Sequence, residues 1–332
     1  MKGLIDTAGE RLAVDCELPW VWELLTEGSA GQLRTVAVRD VSATIALEAT
    51  RRPFDTRGWP LLTRGAWARE GEVVMRNVCT SGFDMHVKPT PDHAVFTFRW
   101  RPPRRDHVAA WALRSRFHLL ARAALVQYPA LWWAGTRGRA PLHASACTVG
   151  ASIPLLAAPS GVGRSTLVLD QVSAGEVATD DNLGAGDGTT VWGLAEPLRV
   201  EGGDGRRMPH GRREAPMPGR VRALVPDRVV VLERSASSDG SLTRCGADAV
   251  ARSLTTSTYM AGELRRYWAF AATLAAGTGL GPGCAPVAEV ASAFASRLPC
   301  FKLAFGRTGS IRLSDLLVTP DAAVDEVSTC AS

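Results

Sequence analysis

The segment Leu155–Asp181 reads LLAAPSGVGRSTLVLDQVSAGEVATDD and carries the residue types that triphosphate chemistry requires. An apolar run enters a glycine-containing turn, a hydroxyl pair opens a helical pattern, and a double aspartate follows. Small residues such as Gly161 and Gly163 let the backbone approach an anion, so that successive N–H groups form a nest. The helix starting near Arg164 adds the positive end of its dipole. Against the phosphate-loop spacing G-x-x-x-x-G-K-[ST], Gly163, Ser165 and Thr166 fit, Ala158 takes the first glycine position and Arg164 takes the lysine position. In such a loop Ser165 would place a hydroxyl on Mg²⁺, and the cation at 164 would reach the β- and γ-phosphates. Arginine keeps the charge but replaces a compact point charge with a planar fork that favours a fixed bidentate contact. Nucleotide binding tolerates that exchange better than efficient transfer does. Ala158 is tolerated wherever its φ is ordinary.

Asp180 and Asp181 follow about fourteen residues after Thr166, behind a short expected strand at 176–179. Ligands of α/β sheets gather at that end of the strands. A carboxylate there can hold Mg²⁺ or accept a proton from an attacking hydroxyl; Asp-Asp-Asn can also simply begin a turn. His143, in Pro-Leu-His-Ala-Ser, precedes the first strand of this unit. The other histidines, His86, His93, His107, His118 and His210, show no metal-ligand spacing and are assigned no metal role.

The elements that must position these groups divide the chain in two. Residues 1–105 read as a β-rich N-terminal region of short alternating runs, such as Leu33–Val41, Glu72–Val78 and Ala94–Trp100. A helix over about 107–133, connecting residues 106–135, carries Trp111, Leu113, Phe117, Leu120, Ala124 and Leu125 with arginines among them. It is expected to pack one face on the core. Residues 136–320 alternate: strands at 144–149 and 152–157, a helix at 165–173, a strand in 221–232, helices at 247–276 and 287–297, and a strand at 300–304. The Gly-, Pro- and Arg-rich stretch 198–218 reads as an exposed loop, and residues 321–332 as a flexible tail.

With 332 residues, of which 46% are apolar, the chain has material for roughly two ordinary domains. Its 38 basic and 33 acidic residues give a net charge of +5, spread along the sequence. That balance suits anionic small molecules or an acidic peptide and falls short of a nucleic-acid signature. Seven scattered cysteines without a CxxC pair argue against a zinc module or disulfide framework and for a reducing compartment. The first residues, MKGLIDTAGERLAVD, lack the apolar segment of a signal peptide, and no apolar run approaches the roughly 18 residues of a membrane span. A cytoplasmic protein without membrane or nucleic-acid partners is therefore expected; the oligomeric state stays open, a homo-oligomer included.

The order L-H-A-S, apolar strand, P-S-G-V-G-[K/R]-S-T, about thirteen residues, D-D resembles the catalytic core of HPr kinase/phosphorylase-like proteins. It resembles more closely the HPr-kinase-like enzymes found beside ribosomal-peptide (RiPP, for example lasso peptide) biosynthesis genes. Gly219–Arg234, Ser253–Tyr259 and Leu298–Gly306 also look like recurring segments of those proteins, so the similarity covers roughly 135–318. The resemblance implies an α/β fold with an HPr-kinase-like P-loop domain related to phosphoenolpyruvate carboxykinase (PEPCK). It also implies Mg-ATP and phosphate transfer to a serine hydroxyl. Pro159, Ser160, Gly161, Val162, Gly163, Arg164, Ser165 and Thr166 fall on the nucleotide-binding loop. His143 falls on the active-site histidine, Asp180 on the base towards serine, and Asp181 on its neighbour near metal and phosphate, with Ser165 as the second metal contact. Arg164 departs from the family lysine. Thr166 stands where the bacterial HPr kinases carry a glutamate, as it does in peptide-tailoring relatives. The Gly-rich signature of the bifunctional enzymes is not recognisable in 198–205, so neither phosphorolysis nor HPr itself is expected.

Two readings follow. One is an ATP-dependent kinase acting on a Ser/Thr hydroxyl of an acidic or serine-containing precursor peptide. Arg206, Arg207, Arg212 and Arg213 could attract that peptide or could simply be solvated, and the β-rich region is left for substrate recognition by elimination. The other is a retained fold that binds nucleotide weakly or not at all and serves as a peptide-binding scaffold, a reading motivated by Arg164.

Overall fold

In this computed structural model the described residues are 1–36, 40–201, 204–208, 211–236, 240–306 and 312–317. The architecture is mixed α/β with a β-rich N-terminal region. That region is one eight-stranded sheet in the order Lys2–Thr7, Glu10–Cys16, Ala43–Glu48, Ala94–Trp100, Phe83–Pro89, Glu72–Met75, Ala66–Arg69, Leu61–Thr63. The central strands bury alternate residues (Ala43, Ile45, Leu47; Ala94, Phe96, Phe98), as period-2 patterning dictates. Of the strand expected at 33–41, none forms among the described residues 33–36 and 40–41. Arg34 makes only an isolated bridge to Leu4, and 37–39 lie outside the described residues. Beside Ala43–Glu48 lies Glu10–Cys16, with Lys2–Thr7 paired to its other side.

The connecting segment is not one helix. Leu113, at φ −116° and ψ 51°, separates Arg104–Ala112 from Arg114–Arg122, which runs on through a wider turn at Ala123–Gln127 into Tyr128–Gly135. The break turns the first piece outward, leaving Val108, Trp111 and Leu113 exposed, while Ala124, Leu125, Trp132 and Trp133 enter the core. Arg122 enters the core as well. It is paired with Glu214 at 3.0 Å and Glu196 at 3.4 Å, and Gln127 adds a bond to Glu196 at 2.9 Å. Removing one side of such a buried set leaves charges without counter-ions. Arg122→Met is therefore expected to lose about 3–5 kcal/mol, read as a lowered urea midpoint; an unchanged midpoint would show the network to be energetically idle.

The second half is built on a five-stranded sheet ordered Ala144–Ala146, Pro154–Ala157, Arg228–Arg234, Cys300–Phe305, Ser241–Arg244. Its three middle strands are parallel and rich in Val and Leu, buried on both faces. Leu155, Ala157 and Val229 face the helices Ala247–Tyr259 and Val287–Arg297, which contribute Leu254 and Phe294. Leu156, Val230 and Leu303 face the helix Arg164–Ser173, whose Leu167, Val168 and Val172 recur at helical spacing. The helix expected over 247–276 is interrupted at 260–266 and resumes as Tyr267–Thr278. The stretch 198–218 is not a free loop. Leu198–Val200 pairs with Arg213–Ala215, Leu198, Met208 and Met217 are buried, and Arg206 reaches Glu27 and His118 in the N-terminal half. Arg213 bonds the carbonyl of Gly205 at 2.8 Å. All six cysteines among the described residues are free thiols; Cys330 and the tail 321–332 lie outside them. Among the described residues no helix is long and apolar enough to cross a membrane.

Candidate active site

The apolar strand Pro154–Ala157 ends at Ala158, which is fully buried with a negative φ, so the lost glycine costs nothing there. The chain then turns outward: Pro159, Ser160 and Gly161 are exposed, and Val162 and Gly163 half-buried. Gly161 at φ 86° and Gly163 at φ 108° occupy the left-handed region that other residues enter at a cost of about 1–2 kcal/mol. Gly163 is also the residue from which the helix Arg164–Ser173 starts, and no side chain caps that end. The first turn of a helix has no internal acceptors for its N–H groups. This end therefore presents uncapped donors beside an exposed glycine turn, the arrangement that suits a phosphate.

Arg164 does not point along the loop. The residue is 5% exposed, and its guanidinium donates to main-chain carbonyls: Nε to Asp181 at 3.2 Å, Nη1 to His143, and Nη2 to Asn182 at 2.7 Å. Nη2 also meets Asn182 Oδ1 at 3.2 Å. The planar fork thus ties the helix start to the histidine segment and the double-aspartate segment in one move, which a lysine could not do. Burial pulls its pKa down to about 10, against the pull of Asp181 and Asp180, and it stays charged at neutral pH.

Thr179 and Ala178 continue the ladder only as isolated pairings, to Cys147 and Arg220 through Ala178 and by Thr179 N–H to the Ala146 carbonyl at 2.9 Å. No regular strand forms at 176–179; beyond it Asp180 Oδ1 accepts the N–H groups of Asn182 at 2.9 Å and Leu183 at 3.4 Å and closes a turn. Asp180 is wholly buried. Its Oδ2 has no hydrogen-bond partner and lies 3.5 Å from Arg220 Nη2, which is itself held by the carbonyls of Leu194 and Glu196. Burial raises the Asp180 pKa well above the carboxylate range; Arg220 opposes this, and Glu196 and Asp181 add to it. Asp181 is raised mainly by burial too, partly offset by a hydrogen bond from Ser165. Arg164, the neighbour of Ser165, bonds the Asp181 carbonyl at 3.2 Å and so ties the two segments that carry the hydroxyl and carboxylate assigned to the metal.

His143 is buried, with Nε2 3.1 Å from Asn182 Oδ1 and its main-chain N–H bonded to Thr258 Oγ1 at 3.0 Å. Because Arg164 also donates to Asn182 Oδ1, that atom is the amide oxygen and His143 Nε2 is the donor. Nδ1 is left buried without a hydrogen-bond partner. Burial, reinforced by the Arg164 charge and opposed by Glu263, lowers the His143 pKa to about 4, so the ring is neutral at pH 7. A group depressed from 6.5 to about 4 stabilises the fold fully above pH 6.5 and loses that contribution as pH falls towards 4. Asp180 and Asp181, raised by burial, act with the opposite sign. His143→Gln removes the histidine part alone. Between pH 7 and pH 5 the variant should gain about 2 kcal/mol on the parent protein in urea unfolding; parallel pH profiles would contradict the burial assigned to this ring.

Several residues that hold the site were not read from the sequence. Asn182 joins His143 to Arg164, and Arg220 stands over Asp180. Glu196 bonds Arg199 at 3.4 Å, and Arg199 bonds Glu263 at 2.7 Å. Burial works against charge on Arg199, but Glu196 and Glu263 outweigh it and raise its pKa; burial likewise opposes charge on Glu263, and Arg199 more than offsets it. Nothing local marks Glu196 as buried or Glu263 as half-buried and paired, since each becomes so only through partners on other segments.

Ser165 and Asp181 offer hard oxygen donors, and Asp180 Oδ2 is a buried acceptor lacking a donor. Among the described residues no group of three or more His, Cys, Asp or Glu side chains is gathered as a metal cage. That set fits Mg²⁺, which takes one or two carboxylates and completes its shell with phosphates and water. No protein-family model matches the chain, and no curated protein matches it.

Proposed function

We propose that the protein is an ATP-dependent kinase of HPr-kinase/PEPCK-like P-loop fold that transfers the γ-phosphoryl group to a serine or threonine hydroxyl of a peptide, a ribosomal-peptide precursor in the first instance. The observation that carries this reading is a set of three features on neighbouring segments: the uncapped helix end behind Gly161 and Gly163, Arg164 of that helix bonded to the Asp181 carbonyl, and the wholly buried Asp180, whose Oδ2 makes no hydrogen bond and meets only Arg220 at 3.5 Å. A loop serving only to turn the chain has no use for a wholly buried acid whose Oδ2 faces a single arginine that spends its hydrogen bonds on carbonyls, an arrangement that is costly.

In this reading the N–H groups of 161–165 and the helix dipole hold the triphosphate. Ser165 and Asp181 would hold Mg²⁺, which would supply positive charge against that developing on the phosphates. Asp180 takes the proton of the substrate hydroxyl as the phosphoryl group moves across, so that the O–P bond to substrate forms as that to ADP breaks. Its raised pKa makes it a stronger proton acceptor when ionised. Because Arg220 and the segment behind it cover Asp180, peptide binding must uncover the acid. His143, neutral, and Arg164 position the aspartates.

The second reading, a non-catalytic peptide-binding scaffold, draws on the same burial and on Arg164 being committed to carbonyls. The two separate by mass spectrometry of an acidic, serine-containing precursor peptide incubated with Mg-ATP. The kinase predicts a phosphate-sized mass increase that disappears in Asp180→Asn. ATP binding with no product on any serine or threonine peptide would favour the scaffold.

A further inference from the structure

Since Arg164 spends its donors on carbonyls of His143, Asp181 and Asn182, the charge that a loop lysine brings to phosphate must come from another residue. Arg234 is the last residue of the strand Arg228–Arg234, the parallel neighbour of the strand that feeds the loop. It therefore emerges at the same sheet edge, one strand across. Its Nη1 donates to the carbonyl of Gly306 at 2.7 Å, and its guanidinium stacks over the Phe305 ring with the carbon 4.6 Å from the centroid. These contacts hold the group flat against the loop: a Cβ added to Gly163 would lie only 2.7 Å from Nη2. Arg234 is nevertheless exposed. A cation that touches the glycine from which the helix starts, yet stays open to solvent, is placed for an anion seated on that helix end.

We propose that Arg234 is the phosphate-binding cation of this site, contacting the β- or γ-phosphate of a nucleoside triphosphate, while Arg164 serves as a positioning residue. The charge and the rigid link that one lysine position usually combines are divided between two arginines, Arg164 at the start of the helix and Arg234 at the end of the neighbouring strand. The stacked, main-chain-bonded guanidinium has little freedom to lose when the ligand arrives, which favours affinity. This inference rests on the nucleotide-binding reading above.

The test titrates Mg-ATP, Mg-ADP and adenosine into the full-length protein, Arg234→Ala and Arg234→Lys, with thermal midpoints in parallel. Loss of one charge-assisted contact predicts roughly 10- to 100-fold weaker Mg-ATP binding in Arg234→Ala. Adenosine binding and the thermal midpoint should not move, and Arg234→Lys should restore part of the loss. If Arg234→Ala binds Mg-ATP as tightly as the parent protein, the inference is overturned and the nucleotide reading stands. Equal weakening for ATP and adenosine would assign Arg234 a structural role and overturn it as well. Absence of Mg-ATP binding by the parent protein overturns both.

Discussion

Arg164→Lys, the change that restores the common phosphate-loop residue, is expected to lower activity roughly a hundredfold. It should also lower stability by about 2–4 kcal/mol. The guanidinium at 164 donates to three carbonyls on two separate segments and to the Asn182 amide oxygen, almost entirely out of water. Lysine offers a single nitrogen with three donors on a stem that cannot span that fork. At least one of the carbonyls would lose its partner, and each buried polar group left unpaired costs about 1–3 kcal/mol. The aspartate turn and the His143 segment would then shift relative to the helix start. Phosphoryl transfer depends on position, and a displacement on the scale of 1 Å is worth roughly a hundredfold in rate. The check is a urea midpoint and a turnover assay on the same preparation. A lysine variant as stable as the parent and more active would show that Arg164 is a degraded lysine, and would remove the division of labour argued for Arg234.

The second large effect is at Asp180. Asp180→Asn should lower phosphoryl transfer by roughly a hundred- to ten-thousand-fold, the range for loss of a general base. It should not weaken the fold at neutral pH. Burial raises the Asp180 pKa, so the folded chain binds a proton more tightly than the unfolded one. The stability that this proton brings is complete below the unfolded carboxylate pKa of 3.8 and declines as pH rises towards the raised folded value. Asparagine is neutral in both states and lacks that decline. The variant should therefore gain on the parent protein between pH 4 and pH 7 in urea unfolding while its turnover falls. Loss of both activity and stability, with an unchanged pH slope, would mean that Asp180 is an ionised structural partner of Arg220 and no base.

What the sequence made legible was what local rules govern. The glycine turn, the helix that follows it and the tolerated Ala158 needed only backbone sterics. The helix Val287–Arg297 falls on the residues that its periodicity marked. The proximity of Asp181 to the loop followed from the expectation that strand ends of one sheet share an edge, although the strand before it is reduced to bridges. Illegible were the features decided by distant partners. Arg164 could be recognised as a cation in a lysine slot, but its destination depends on carbonyls at His143, Asp181 and Asn182 that only the folded chain brings near. Arg122 stands among arginines on an amphipathic pattern and looks like its solvated neighbours; of the carboxylates that draw it inward, Glu214 lies in the segment expected to be an exposed loop and Glu196 just before it. Arg234 reads as the polar end of a strand, and its contact with Gly163 exists only because the two strands are neighbours.

The account turns on whether residues 159–166 hold a metal-bound triphosphate. Titration calorimetry of ATP into the full-length protein, with and without Mg²⁺, measures that directly. A site of this construction should bind Mg-ATP with a dissociation constant of roughly 1 μM to 1 mM, more weakly without the metal. Binding should fail in Gly163→Val, where a side chain would meet both the left-handed φ and the Arg234 guanidinium. Heat of binding that is absent up to several times that range, or that persists undiminished in Gly163→Val, would contradict it.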